Sequence, residues 1–195
     1  MTTAQRIVFD APMALSRASE VIRSGGIIVY PTDTLYGFGC DATNDQAIDR
    51  INTIKGRVGP ISVIAPDIDT AISWLDIAQE DHNLVRKYLG GSRTTIVPVK
   101  TGIVSSLVQG PDNTLGIRIP DAPFALDLAR QTGVPITTTS VNRSGHPPIN
   151  DPAEIMKTFQ SDFELLLDGG LLAPSSGSTI YRWHQHKMQL VKRRL

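Results

Sequence analysis

Apolar residues in this chain come in short runs, and run after run closes on glycine or proline. Ala14 to Ile22, ahead of Gly25-Gly26, has the spacing of an amphipathic helix with a glycine stop, and Ile27-Ile28-Val29-Tyr30 is a β run ended by Pro31. Such punctuation restricts the chain to short alternating elements and leaves no stretch approaching the ~20 apolar residues of a membrane span. Asp45 is placed to cap a helix through Ile48, Ile51 and Ile54, and Ser62 to Ala65 then reads as a strand. Further helices are expected near Leu84–Leu89, over Phe124–Arg130 with a stop at Gly133, and after Asp151-Pro152 through Ile155 and Phe159. Strands are expected at Thr95–Val99, Leu115–Ile119, Ile136–Thr139 and Leu165–Leu167, with Thr179–Trp183 and Met188–Lys192 as a closing hairpin. Helices and strands so interleaved predict an α/β (α+β) domain, a twisted mixed sheet with flanking helices, and 195 residues suit a single domain over 1–195.

Charge narrows the partners. Lys and Arg number 19 and Asp and Glu 19, so there is no overall basic field to draw nucleic acid or an anionic membrane, and any anion site must be built locally. Cys40 is the single cysteine, which rules out an internal disulfide and suits a reducing compartment; with no basic and apolar leader at the start, a cytoplasmic location is expected. Nothing in the sequence sets a base beside Cys40, so it reads as a small packed residue.

Three segments carry candidate chemistry, each with a plainer account beside it. Tyr30-Pro-Thr-Asp-Thr-Leu-Tyr-Gly-Phe-Gly39 reads as a polar loop after a buried strand, where α/β proteins place ligands, and equally as a turn held by Asp and Thr side chains. Lys55-Gly-Arg57 sets an ammonium beside a guanidinium, the pair that successive phosphate oxygens require, or is simply a solvated basic surface. Thr137-Thr-Thr-Ser-Val-Asn142 crowds hydroxyls at the end of an apolar strand, as a ligand site or as edge-strand threonines and an Asx-turn. His184-Gln-His186 offers two imidazoles to a metal or forms a polar hairpin tip, and Lys192-Arg193-Arg194 is equally an RNA contact or a charged tail.

In order, these segments resemble the YrdC/Sua5 family: its PTDTxYG loop, its KxR motif, its VRxP segment (here Gly116-Ile-Arg118-Ile-Pro120), its SxN motif (Ser140-Val-Asn142) and its late ST[IV] strand (Ser178-Thr-Ile180). The likeness runs from about Gly25 to Lys192. It implies a YrdC/RibB-like fold and a nucleotidyltransferase that forms L-threonylcarbamoyladenylate and pyrophosphate from L-threonine, bicarbonate and ATP, for the t6A modification of tRNA. Thr34, Arg118, Thr138 and Ser178 would hold threonine, and Lys55, Arg57, Thr114, Ser140, Asn142 and Lys192 would hold ATP, with Lys55 and Arg57 as the catalytic cations. The resemblance also implies a Mg²⁺ ion carried mainly by the phosphates, no metal site made by the protein, and a downstream tRNA-threonylcarbamoyl transferase complex. The alternative is a YrdC-like module that binds double-stranded RNA without catalysis. This sequence departs from the pattern at Lys55–Pro60, which is two residues short, at Ile64, where a histidine or other polar group is frequent, and at Gly90-Gly91-Ser92, in place of Pro-Gly-Pro. Lys192 aligns with the terminal cation, with Arg193 the other choice.

Overall fold

A computed structural model describes residues 4–193. Its strands are β1 (Gln5–Val8), β2 (Ile28–Pro31), β3 (Tyr36–Gly39), β4 (Ser62–Ile64), β5 (Arg93–Pro98), β6 (Thr114–Arg118), β7 (Ile136–Ser140), β8 (Leu165–Asp168), β9 (Thr179–His184) and β10 (Lys187–Lys192). They form one mixed sheet in the order β1-β8-β2-β3-β7-β4-β6-β5-β9-β10. The helices are α1 (Ala14–Arg23), α2 (Asp45–Lys55), α3 (Ile68–Ser73), α4 (His82–Arg86), α5 (Pro123–Thr132) and α6 (Pro152–Phe159). Among the described residues no helix is long and apolar enough to cross a membrane.

The expected mixed α/β architecture is present, and most elements fall within a residue or two of the sequence reading. Asp151 caps α6, its carboxylate accepting from the Ala153 amide at 2.8 Å. The cap of α2 differs from expectation: the Asn44 side chain accepts from the Ala47 amide at 3.1 Å, and Asp45 is the first helical residue, its charge at the positive end of the helix. A larger correction concerns Tyr30–Gly39. This stretch is a β-hairpin, with Pro31 opposite Tyr36 and Ile28 opposite Gly39. Tyr36 and Phe38 alternate with glycines, and glycine on the opposite face hides the period-2 signal. β1 and α3 have no counterpart in the sequence reading. β1 is an edge strand that pairs in parallel with β8, so its register comes from a segment far along the chain.

Strand alternation divides the core in two. Val29, Phe38, Val63, Ile117 and Leu166 face α2 and α6, packing on Ile48, Ile51, Ile155 and Phe159. On the other face Ile28, Tyr30, Ile64, Ile136 and Leu165 pack under α1 and α5, against Ala18, Val21, Leu128 and Ala129. These two helices cover only part of that face. Beyond them the same rows continue as Ser62, Gly116, Arg118 and Thr138, of which Ser62, Arg118 and Thr138 line an open cavity.

Gly39 is required where the hairpin crosses Tyr30: a Cβ there would lie 2.6 Å from Tyr30 Cε1, in a fully buried ring. Gly39→Ala therefore overpacks the β2–β3 contact, and calorimetric melting should show a loss of about 1–3 kcal/mol.

Candidate functional site

The cavity has a volume of about 480 Å³ and is floored by β7, β4 and β6. The hairpin loop between β2 and β3 forms one wall. Thr32 ties this loop together: its hydroxyl accepts from the Thr34 and Leu35 amides, each at 3.2 Å, and donates to the Leu35 carbonyl at 2.8 Å. The tied loop carries Asp33 and Thr34 to Arg118, which comes from β6.

Arg118 is the electrostatic centre of this end. Its Nη2 donates to Asp33 Oδ1 at 2.7 Å and to Thr34 Oγ1 at 3.3 Å, and both partners of the ion pair are more than nine-tenths buried. Ser92 Oγ donates to the other Asp33 oxygen at 3.0 Å. The Arg118 Nε is buried and has no acceptor. A guanidinium fixed through one nitrogen, with a further buried donor unpaired, is prepared for a second anion at the cavity. Beside it Thr94 and Ser178 share a hydrogen bond of 2.6 Å.

At the other end Lys55 closes α2 beneath the Ser140–Asn142 turn. Its ammonium donates to Ser140 O at 2.7 Å, Asn142 O at 3.2 Å and Asn142 Oδ1 at 2.9 Å, which engages all three donors. Ser140 Oγ donates to the same Asn142 oxygen at 2.7 Å. Burial, with a smaller contribution from the nearby Arg57 charge, pushes the Lys55 pKa down to about 8. Lys192 stands on the opposite wall and donates to the Ser176 carbonyl at 2.9 Å.

Of the residues expected at the site, Thr34, Arg118, Thr138, Ser178, Ser140, Asn142 and Lys192 line the cavity. Lys55 lies behind its wall, holding the turn that does line it. Arg57 and Thr114 are outside the lining, and the Thr114 hydroxyl donates to Pro111 O at 2.8 Å. Lys192 lines the cavity whereas Arg193 does not, and Arg194 lies outside the described residues. The sequence reading missed Asp33, Ser62, Thr94 and the Ser175–Gly177 stretch. Asp33 lies inside the Pro31–Gly37 segment, beside Thr34, the residue of that segment the resemblance assigns to threonine. The others carried no local signal, because their place at the cavity depends on strand order. Cys40 is buried, and desolvation pushes its thiol up to about 12, as for a packed residue. Gln185 and His186 turn the final hairpin at positive φ, and His186 Nδ1 meets Asp81 at 2.7 Å.

Fold and cavity together define a mixed α/β protein whose cleft offers an arginine fork at one end and a lysine-braced polar turn at the other. The profile of a family described as "Telomere recombination" (Sua5_yciO_yrdC) matches residues 20–194. The chain belongs to this Sua5/YciO/YrdC family. It is 31% identical over 169 residues to a threonylcarbamoyl-AMP synthase of Bacillus subtilis (strain 168), covering 85% of this chain and 49% of that protein. A threonylcarbamoyl-AMP synthase of Nitrosococcus oceani is 32% identical over 155 residues, covering 78% of this chain and 83% of the relative. The chain thus spans about half of the first relative and most of the second. Among solved structures, E. coli YciO superposes with a TM-score of 0.85 at 26% identity, covering 100% of this chain and 97% of that one. A P. abyssi Sua5 complexed with L-threonine also gives a TM-score of 0.85, at 24% identity, covering 97% of this chain and 57% of that one, and shows the shared fold.

Removing Asp33 would leave Arg118 buried without its counter-ion. Asp33→Ala should lower stability by about 3–5 kcal/mol in chemical denaturation. A loss under about 1 kcal/mol would show that the pair is no more than an exposed bridge.

Proposed function

We propose that this chain is a threonylcarbamoyl-AMP synthase, joining L-threonine to bicarbonate and transferring the resulting carbamate to the α-phosphate of ATP. The amine nitrogen attacks the bicarbonate carbon with loss of water, a carbamate oxygen then attacks the α-phosphorus, and pyrophosphate leaves. The observation that carries this reading is a single cavity with the Arg118 fork at one end and the Ser140–Asn142 turn, braced by Lys55, at the other. The names of the relatives support it.

In this reading Arg118 takes the threonine carboxylate bidentately, Thr34 and Ser178 face its polar atoms, and Thr138 closes the floor. Ser140, Asn142 and Lys192 hold the nucleotide. Arg57 approaches the triphosphate from outside the lining, and Thr114 joins only if its hydroxyl turns away from Pro111. Lys55 acts chiefly by setting the turn and by its charge. The carbamate and ATP are both anionic, so catalysis rests on alignment and charge neutralisation rather than on a nucleophilic side chain. Among the described residues no cluster of three carboxylate, imidazole or thiol groups suits a metal. A Mg²⁺ ion would supply further charge neutralisation and would be held by the triphosphate oxygens, since the Asn142 Oδ1 and the Ser140 and Asn142 carbonyls already accept from Lys55. The acting unit would be one YrdC-like domain over 1–195 in the cytoplasm, passing its product to a tRNA-threonylcarbamoyl transferase complex.

The direct test is pyrophosphate release from ATP in the presence of bicarbonate and each of threonine, serine and valine. The expected order is threonine, serine, valine, because serine forfeits a methyl contact of about 1–3 kcal/mol whereas valine leaves a buried hydroxyl partner unpaired. Release that ignores the amino acid would end the synthase reading.

A second expectation concerns pH. A lysine whose pKa is lowered to about 8 from 10.5 is charged below pH 8 and neutral above it. kcat/KM for ATP, which reports the free enzyme, should therefore fall as pH rises through about 8. Lys55→Arg should be slower overall and lack this alkaline limb, since arginine stays charged. For stability the sign is opposite: below pH 8 charging the buried amine costs stability, and that cost is relieved as pH rises toward 10.5. A profile flat to pH 9.5 in the parent protein would show that Lys55 keeps its charge through this range, and an unchanged kcat/KM at pH 7 in Lys55→Ala would remove it from catalysis.

A further inference from the structure

Ser62 opens β4 and faces the cavity from the middle of its floor. Its neighbours in the sheet are Thr138 on β7 and, from the Val63–Ile117 pairing, Gly116 on β6. The next same-face residue on β6 is Arg118, and the next on β7 is Ser140, whose carbonyl receives Lys55. Ser62 thus stands between the two ends of the site. Gly116 keeps it accessible, since a Cβ at that position would lie 2.5 Å from the Ser62 Oγ. The Ser62 hydroxyl has no hydrogen-bond partner among the described residues.

A threonine carboxylate at Arg118 places the amine nitrogen about 2.5 Å from the carboxylate carbon, and the carbon it attacks at most about 3.8 Å away. That carbon must then meet a phosphorus held at the Ser140–Asn142 end. The small one-carbon anion consequently belongs over the middle of the floor, between the two ends, where the Ser62 hydroxyl is at hand. We infer that Ser62 is a binding residue for the bicarbonate and carbamate oxygens, donating its proton as a hydrogen bond to an oxygen that is negative in both species. Ser62 neither gains nor loses a covalent bond. This assignment rests on the proposed reaction and adds to it the site of the third reactant.

The test is steady-state pyrophosphate release by the full chain in bicarbonate-depleted buffer, with each of the three substrates varied in turn. Ser62→Ala should raise the KM for bicarbonate about tenfold or more, the loss expected for a hydrogen bond to an anion, with the KM values for threonine and ATP within about twofold. Ser62→Thr, which keeps the hydroxyl, should return the bicarbonate KM to within about threefold of the parent. Since the hydroxyl bonds nothing in the protein, the alanine variant should melt like the parent. If it melts early, Ser62→Cys, of the same shape with a weaker donor, carries the same comparison. An unchanged bicarbonate KM, or an equal rise in all three KM values, overturns the assignment while the parent's bicarbonate-dependent activity keeps the reaction standing. Pyrophosphate release by the parent that does not depend on bicarbonate overturns both.

Discussion

The buried pair between Arg118 and Asp33 is the constraint on which the rest of the site depends. Two charges removed from water are tolerated only when geometry and additional hydrogen bonds compensate for lost hydration, and here Thr34 and Ser92 supply those bonds. The pair joins three parts of the chain that do not adjoin in sequence: the β2–β3 loop, the strand β6 and the turn before β5. Ser92 ends the Gly90-Gly91-Ser92 turn, and its hydroxyl steadies Asp33 from that turn. With Asp33 bound to one nitrogen, the guanidinium has a fixed plane, and a carboxylate entering the cavity meets an oriented fork rather than a mobile cation.

An open cavity beside a packed core follows from how one sheet face is divided. α1 and α5 cover the part of the face lined by Ile28, Ile64 and Ile136, while the continuing rows carry serine, threonine, glycine and arginine. Apolar rows require cover, and rows of hydroxyls do not, so the helices stop where the chemistry of the strands changes. Rigid strands, and not loops, therefore supply most of the floor. That rigidity suits a site that must hold its ligands in fixed alignment.

At the far end the turn through Ser140 and Asn142 is organised from behind. An ammonium that donates to two carbonyls and one side-chain oxygen fixes the curvature of the backbone and brings positive charge close to the cavity without occupying it. Its lowered pKa is the consequence of that burial and of the neighbouring arginine. The KxR segment, two residues shorter than is usual, still delivers its lysine, because Lys55 is the last residue of α2 and is placed by the helix rather than by the loop after it.

The sequence by itself determined the alternation of short helices and strands, the mixed sheet, the order of the motifs and the family to which they belong. Hydrophobic period, capping residues and Gly or Pro stops are local, and local chemistry suffices to read them. It also marked Arg118, Thr34, Ser140, Asn142 and Ser178, since these lie within recognisable segments. Only the tertiary structure decided that Tyr30–Gly39 is a hairpin and that β1 joins the edge beside β8. It alone placed Lys55 behind the wall, Arg57 and Thr114 outside the lining, Asp33 against Arg118, and Thr94 and Ser62 at the cavity. Each of these depends on which strand lies beside which. Strand order is set by contacts between residues tens of positions apart, and a side chain's neighbours across a sheet leave no trace in the residues on either side of it.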